Sequence, residues 1–132
     1  MSTLETTNAF DYINVLGKAA DAAWLRNDAL AHNIANVNTP GYKRQDVDFE
    51  SVLKRELTNS KYKSMDAKVD HLTSSKLRVG VHTDAAGYSY RLDGNNVDID
   101  TENAELASNQ IRYNGLIDSI TKEFQNLQAV MK

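Results

Sequence analysis

The chain has 132 residues, with 15 Lys+Arg against 18 Asp+Glu, three His, one Pro and no Cys. That length suits one domain and excludes a multidomain enzyme. The formal net charge of −3 gives no global pull toward nucleic acid or anionic lipid, and the missing Cys excludes disulfide staples, thiolate metal sites and cysteine nucleophiles.

Thirteen Asn stand beside the single Pro40. Asn favours caps and turns, and a lone Pro permits long helices and marks one special break. Residues Met1 to Asn14 carry neither a basic region nor an apolar run of about seven residues, so no cleaved leader is expected. No stretch approaches the roughly 20 apolar residues that span a bilayer.

The N-terminal third predicts one helix from about Asn8 to about Val37. Ala9, Ile13, Leu16, Ala20, Ala23, Asn27, Leu30, Ile34 and Val37 fall at alternating spacings of four and three. Such a heptad seam is the mark of a helix that packs along a narrow stripe. Ser2-x-x-Glu5 has the form of a capping box, with Asn8 a later cap.

The helix should stop within Asn33-Ile34-Ala35-Asn36-Val37-Asn38-Thr39-Pro40-Gly41-Tyr42-Lys43-Arg44. Thr39 precedes Pro and is pushed to extended backbone. Pro40-Gly41 suits the centre of a type II turn, with Gly at the φ > 0 position. Asn36 or Asn38 is a candidate for the left-handed conformation at the helix end. A simple helix stop needs less than three Asn followed by Pro-Gly-Tyr and two basic residues.

In the middle segment, Asp48 to about Asn59 predicts a short helix, with Asp48 as N-cap. Lys54 to Arg78 holds seven Lys/Arg against three Asp/Glu. It reads as a solvated face or as an electrostatic docking surface for the acidic Asp93–Glu105 segment, within or between subunits. Leu77, Val79 and Val81 alternate with polar residues and Gly80, and Tyr88, Tyr90 and Leu92 do likewise. With Asp84-Ala85-Ala86-Gly87 between them they predict a β-hairpin.

The last element should be a helix from about Thr101 to the C-terminus, with Asp100 or Thr101 as N-cap. Leu106, Gln110, Tyr113, Ile117, Ile120, Phe124, Leu127 and Met131 repeat the heptad spacing. Asp98, Asp100, Glu102 and Glu105 crowd the helix start, where the dipole favours them. Each terminal helix would be about 45 Å long. Off-seam Trp24, Leu25, Ile111 and Leu116 point to partners beyond a two-helix hairpin. The expected fold is therefore mainly α: long N- and C-terminal helices paired as a coiled coil, with a short helix and small β-hairpin in the middle. The divisions are 1–44, helix and turn signature; 45–97, variable middle; 98–132, C-terminal coiled-coil helix.

No catalytic constellation is expected. His32, His71 and His82 lack metal-ligand spacing, and no Gly-rich phosphate loop or G-x-S-x-G elbow occurs. The run Asp98-Ile99-Asp100-Thr101-Glu102 fails as a calcium loop, with Asn103 at the required Gly and Asn109 at the bidentate Glu. Enzyme, cofactor and metal are all read as none.

The 33–44 stretch resembles the N-terminal signature of the bacterial flagellar rod/hook axial proteins, a pattern close to N-N-I-A-N-x-x-T-x-G-Y-K/R-R. His32-Asn33 stands where paired Asn is usual. Asp46-Val47-Asp48-Phe49-Glu50 with Leu53-Lys54, and Leu92-Asp93-Gly94-Asn95-Asn96-Val97-Asp98-Ile99-Asp100 with Glu102, Leu106-Ala107-x-Asn109 and Arg112-Tyr113, resemble the small proximal-rod members of that family. The resemblance implies a structural subunit of the basal-body rod that helps transmit torque from the membrane ring to the hook and filament. It implies export through the flagellar type III apparatus without a cleaved signal peptide, and location in the basal body within the cell envelope (the periplasm where there are two membranes).

Implied partners are other rod proteins, the membrane ring and export apparatus, and copies of the chain itself in a helical assembly. No nucleic acid and no direct membrane span are implied. The implied assembly signature is Asn33, Ile34, Ala35, Asn36, Thr39, Pro40, Gly41, Tyr42, Lys43 and Arg44. The implied coiled-coil seam is Leu16, Leu30, Ile34, Tyr113, Ile117, Ile120, Phe124 and Leu127. From the residues alone, a cytoplasmic helical-hairpin adaptor or export chaperone is the alternative. A nucleic-acid binder working through the basic segment is a more distant one, since that segment has no stacking aromatic array.

Overall fold

The computed structural model describes residues 2–72, 76–84 and 91–131. In chain order these form α1 (Ser2–Ala35), β1 (Gln45–Asp46), α2 (Phe49–Thr58), α3 (Met65–Asp70), β2 (His82–Thr83) and α4 (Ile99–Met131). The protein is mainly helical, as its two periodic thirds predict. The long terminal helices lie antiparallel. Asn33 of α1 meets Glu102 of α4, Arg26 meets Glu105, and the Ala23 carbonyl accepts from Asn109 Nδ2 at 2.8 Å. Further along, the rings of Trp24 and Tyr113 stand 6.0 Å apart.

Along α1, Ile13, Ala20, Ala23 and Leu30 are buried, and Leu16, Asn27, Ile34 and Val37 are half-buried. The helix uses a second face as well. Ala22, with Val15, Ala19 and Leu25 beside it, packs on Val47, Phe49, Leu53, Leu72, Leu77 and Val79 of the middle segment. So α1 lies between α4 on one side and the middle segment on the other.

The buried stripe of α4 differs in part from the predicted one. Glu102, Leu106, Asn109, Tyr113, Leu116, Ile120, Glu123 and Leu127 are buried or half-buried, again at alternating four and three. Leu106, Tyr113, Ile120 and Leu127 belong to both series. The other positions shift back by one residue, to Asn109, Leu116 and Glu123. Gln110 and Met131 are exposed, and Ile117 and Phe124 remain 40% and 47% exposed. A repeat of 3.5 residues leaves this choice open, because Leu106, Tyr113, Ile120 and Leu127 can be flanked on either side by a second series at the same spacing. The buried bond from Asn109 to the Ala23 carbonyl decides it.

Helix boundaries follow side-chain caps. Asp48 caps α2 by accepting from the Ser51 N–H at 3.0 Å, as expected. At α4 the cap is Asp98, not Asp100 or Thr101: its carboxylate accepts from the N–H groups of both, at 3.1 and 3.4 Å. The helix thus starts at Ile99. Asn8 lies inside α1 rather than at its cap.

Helix α3 was not legible in the hydrophobic pattern. Ser64 caps it by accepting from the Ala67 N–H, Val69 is buried, and Tyr12 of α1 donates to Asp66 at 2.6 Å. That bond pushes the Tyr12 hydroxyl up to about 12.

The two-stranded sheet is antiparallel, but its strands are not the predicted ones. Gln45 pairs with Thr83 and Asp46 with His82. Leu77–Val81 forms no strand; Leu77 lies in a turn, and Leu77 and Val79 pack into the cluster on Ala22. Alternating apolar residues require one buried face, and here a helix surface supplies it without a ladder. In the expected second strand, Tyr88 and Tyr90 lie outside the described residues, and Leu92 is an exposed turn residue. Among the described residues, no helix is long and apolar enough to cross a membrane.

Candidate functional site

The end of α1 and the start of α4 are knitted together through the turn between Thr39 and Tyr42. Tyr42 N–H donates to the Thr39 carbonyl at 3.2 Å, closing a four-residue turn with Pro40 and Gly41 at its centre. Gly41 has φ +74°, the left-handed value that a type II turn demands. Its N–H donates to the Asp93 carbonyl at 2.7 Å. On the other strand of this junction Gly94 also has positive φ, +79°, and a Cβ there would lie 3.6 Å from the Gly41 Cα. Two glycines placed back to back let the segments around 41 and 94 touch.

The helix end is capped from a distance. The carbonyls of His32 and Asn33 accept from the Asn36 N–H and that of Ile34 from the Val37 N–H, while those of the residues just beyond Ala35 need partners from elsewhere. No non-glycine residue among those described has positive φ, so neither Asn36 nor Asn38 adopts the expected left-handed cap. Instead Asn95, fully buried, donates from Nδ2 to the carbonyls of Asn36, Val37 and Thr39 at 2.9, 3.1 and 2.8 Å. Its Oδ1 accepts from the Val97 N–H at 2.8 Å. The Arg91 guanidinium also donates to the Val37 carbonyl, and Lys43 Nζ donates to the Gly94 carbonyl. Asn36 stays local: it donates to the His32 carbonyl and accepts from the Thr39 hydroxyl.

Asn33 is the centre of the joint. It is fully buried, and all four of its hydrogen-bonding positions are used. Nδ2 donates to the Gln45 carbonyl at 2.7 Å and to Glu102 Oε2 at 3.0 Å. Oδ1 accepts from the Gln45 N–H at 2.8 Å and from the Tyr42 hydroxyl at 3.1 Å. The amide therefore pairs with both backbone groups of Gln45, as a neighbouring strand would, and fixes β1 against α1.

Around it runs a network of alternating charge. Arg44 Nε donates to Glu102 Oε1 at 2.6 Å, and its other nitrogens reach Asp46 at 3.2 Å and Asp84 at 3.4 Å. Arg26 donates to Asp46 at 2.8 Å and to Glu105 at 2.8 Å. Glu102 is almost fully buried. Buried charge is tolerated when its lone pairs are matched, and here both Glu102 oxygens are. Burial alone would raise the Asp46 carboxyl, but the bonds from Arg26 and the Val47 N–H, with the charges of Arg26 and Arg44, hold it below its ordinary value. Burial works against the Arg44 charge, yet Glu102 and Asp46 keep its pKa raised. Burial, then the Glu102 charge, push the Tyr42 hydroxyl up.

The predicted signature residues divide cleanly. Asn33, Asn36, Thr39, Gly41, Tyr42, Lys43 and Arg44 converge on this joint through side chain or backbone. Ile34 is half-buried beside it, and Ala35 and Pro40 are exposed. Of the seam residues, Leu30 is fully buried, while Leu16, Ile34, Tyr113, Ile120 and Leu127 are half-buried. Within one chain the acidic Asp93–Glu105 segment does not dock on the basic middle stretch: its Glu102 and Glu105 are taken by Arg44 and Arg26. Sequence reasoning gave no role to Arg26, named Asp46 and Asn95 only within the blocks that resemble the family, and read Glu102 only as part of an acidic helix start. The one available signal was Glu102, which stands four residues before Leu106 in seam register. Among the described residues no group of His, Asp and Glu is arranged to hold a metal ion.

Comparison with known proteins points one way. The family described as flagella basal body rod protein matches residues 13–43. The flagellar basal body rod protein FlgB of Bacillus subtilis (strain 168) is 34% identical over 120 residues, covering 90% of this chain and 92% of that protein. The same-named protein of Borreliella burgdorferi is 32% identical, over 85% of this chain and 89% of its own. That of Salmonella typhimurium is 30% identical, over 81% and 83%.

Proposed function

The chain belongs to the FlgB family of flagellar basal body rod proteins, and from that premise we propose that it is a rod subunit which assembles through its terminal helices and carries torque from the membrane ring toward the hook. Family membership supports a structural role in the basal body, among other rod components. The self-assembly and the torque are our reading.

The observation that carries it is the outer side of α4. Beyond Asn109 no residue of the helix is fully buried, and Ile117, Phe124, Val130 and Met131 are exposed apolar side chains. Trp24 of α1, 65% exposed, adds to the apolar surface. A thin pair of helices with unpaired apolar positions along one side gains burial when neighbours close over it. Ile117 and Phe124 continue the predicted heptad spacing beside the intramolecular seam. In this reading residues 1–44 and 98–132 form the assembling part, and residues 45–97 decorate it.

The signature then has a specific task. Asn33, Gly41, Tyr42 and Arg44 join α1 to α4 at one end, which fixes the antiparallel register and so aligns the apolar stripe that neighbours meet. Torque reaching one helix would pass to the other through the Arg44–Glu102 and Arg26–Glu105 pairs.

The test is the double variant Ile117→Asp with Phe124→Asp. Neither position is buried in the single chain, at 40% and 47% exposed, so circular dichroism of the purified variant should stay close to the parent. Motility and incorporation into basal bodies should be lost while export continues. Normal motility in that variant would refute the reading.

A further inference from the structure

Two oppositely charged surfaces of this chain stand unused at opposite ends of α1. The first is a cleft of about 260 Å³ beside α3, where Lys61, Lys68 and Lys76 converge around Tyr62 and His71, with Glu56 as its one acid. The Tyr62 and His71 rings stack at 3.8 Å, and Lys61 sits 5.4 Å above the Tyr62 ring. Among the described residues none of these three lysines forms an ion pair. The nearby acids are engaged elsewhere: Asp66 accepts from Tyr12, and Asp70 lies against His71 and Asp11.

The second surface is the exposed start of α4. Asp98 and Asp100 face solvent there, and among the described residues neither forms an ion pair. Asp98 spends one carboxylate oxygen on its cap. The neighbouring Glu102 and Glu105 are already matched by arginines.

Geometry keeps the two apart within one molecule. The cleft is anchored to α1 at Tyr12, and the acidic start is anchored at Asn33. Twenty-one residues of continuous helix separate these anchors, which is about 30 Å at 1.5 Å per residue. That distance is several times the screening length of about 8 Å at physiological salt, so the surfaces do not neutralise one another internally.

We propose that the lysine cleft beside α3 receives the acidic start of α4 from a second copy of this chain. In a rod whose copies all point one way the contact is heterologous, cleft of one to acidic start of the next, so it continues from subunit to subunit instead of closing a dimer. It also gives direction to the assembly, because a reversed copy meeting its neighbour end to end would set lysines against lysines. The inference rests on the self-assembly reading above and names the surfaces that meet.

The chain has no cysteine, which makes site-directed cross-linking clean. A chain carrying Lys61→Cys and Asp100→Cys, expressed in place of the parent, is treated in purified basal bodies with a short bis-maleimide. A ladder of covalent dimers and higher multimers of this chain is expected. In parallel, Lys61→Glu with Lys68→Glu should cut swarming at least tenfold, and adding Asp98→Asn with Asp100→Lys should restore it, Asn keeping the cap. Subunits present in basal bodies but cross-linked only to another protein, or not at all, would overturn the inference while the rod reading stands. The same holds if the folded, exported quadruple variant swarms no better than the double. A parent chain absent from basal bodies would overturn both.

Discussion

Asn33 shows how much one side chain can hold. Four bonds leave its amide, two to the backbone of Gln45 and one each to Tyr42 and Glu102. Gly41 acts by conformation instead. Nothing lies within 4 Å of the place its Cβ would occupy, so the obstacle to substitution is its φ of +74°. Gly41→Val should therefore lower unfolding free energy by about 2 kcal/mol, since a β-branched residue resists left-handed backbone. Urea denaturation of the purified chain measures this, and an unchanged midpoint would mean that the turn reorganises at no cost. Asp46 ties stability to pH. Its carboxyl is held below its ordinary 3.8 in the folded chain, so the folded state binds that proton more weakly than the unfolded state. The stabilisation is full above about pH 4 and drains away as pH falls through the lowered folded value. Asp46→Asn should be less stable than the parent at neutral pH, and the gap should shrink in acid. A gap independent of pH would show that Asp46 does not titrate with folding.

Among the elements, α4 is two helices in energetic terms. Its first half is fastened by the buried Glu102 and Asn109 and by the Arg26–Glu105 pair. Its second half touches α1 only through half-buried side chains. Amide exchange should follow that division, with residues 101–113 protected far longer than 117–131, by at least tenfold in rate under native conditions. Uniform protection along α4 would mean that the distal half is held as firmly as the proximal. The elements also show what periodicity can and cannot tell. The heptad of α1 is buried or half-buried from Ile13 to Ile34, and Ala22 with its neighbours buries a second face that the heptad does not mark. In α4 the series that turns inward is the less apolar of two neighbours, with Glu123 where the other has Phe124, and the choice fell to Asn109, a polar residue whose bond to the Ala23 carbonyl is invisible to any hydrophobic count. The alternation at Leu77–Val81 was real but served packing on a helix, while the sheet formed from two polar dipeptides whose pairing is set by the neighbouring joint.

As a whole molecule, the protein is a long antiparallel helix pair with a middle segment packed against one side of α1. Its buried polar joint lies at one end and its exposed apolar stripe along the other. The sequence by itself determined the two long helices, the Pro40–Gly41 turn with its positive-φ glycine, the Asp48 cap and the family, because these depend on local spacing, local backbone sterics or a contiguous motif. Only the tertiary structure decided that residues around 33–44 and 91–105 form one joint, that Asn95 holds the carbonyls of the turn just past α1, and which of two adjacent stripes on α4 turns inward. Those outcomes depend on polar groups far apart in the chain that satisfy one another only when brought into contact. A one-dimensional pattern of apolar residues carries no record of which buried amide will meet which carbonyl.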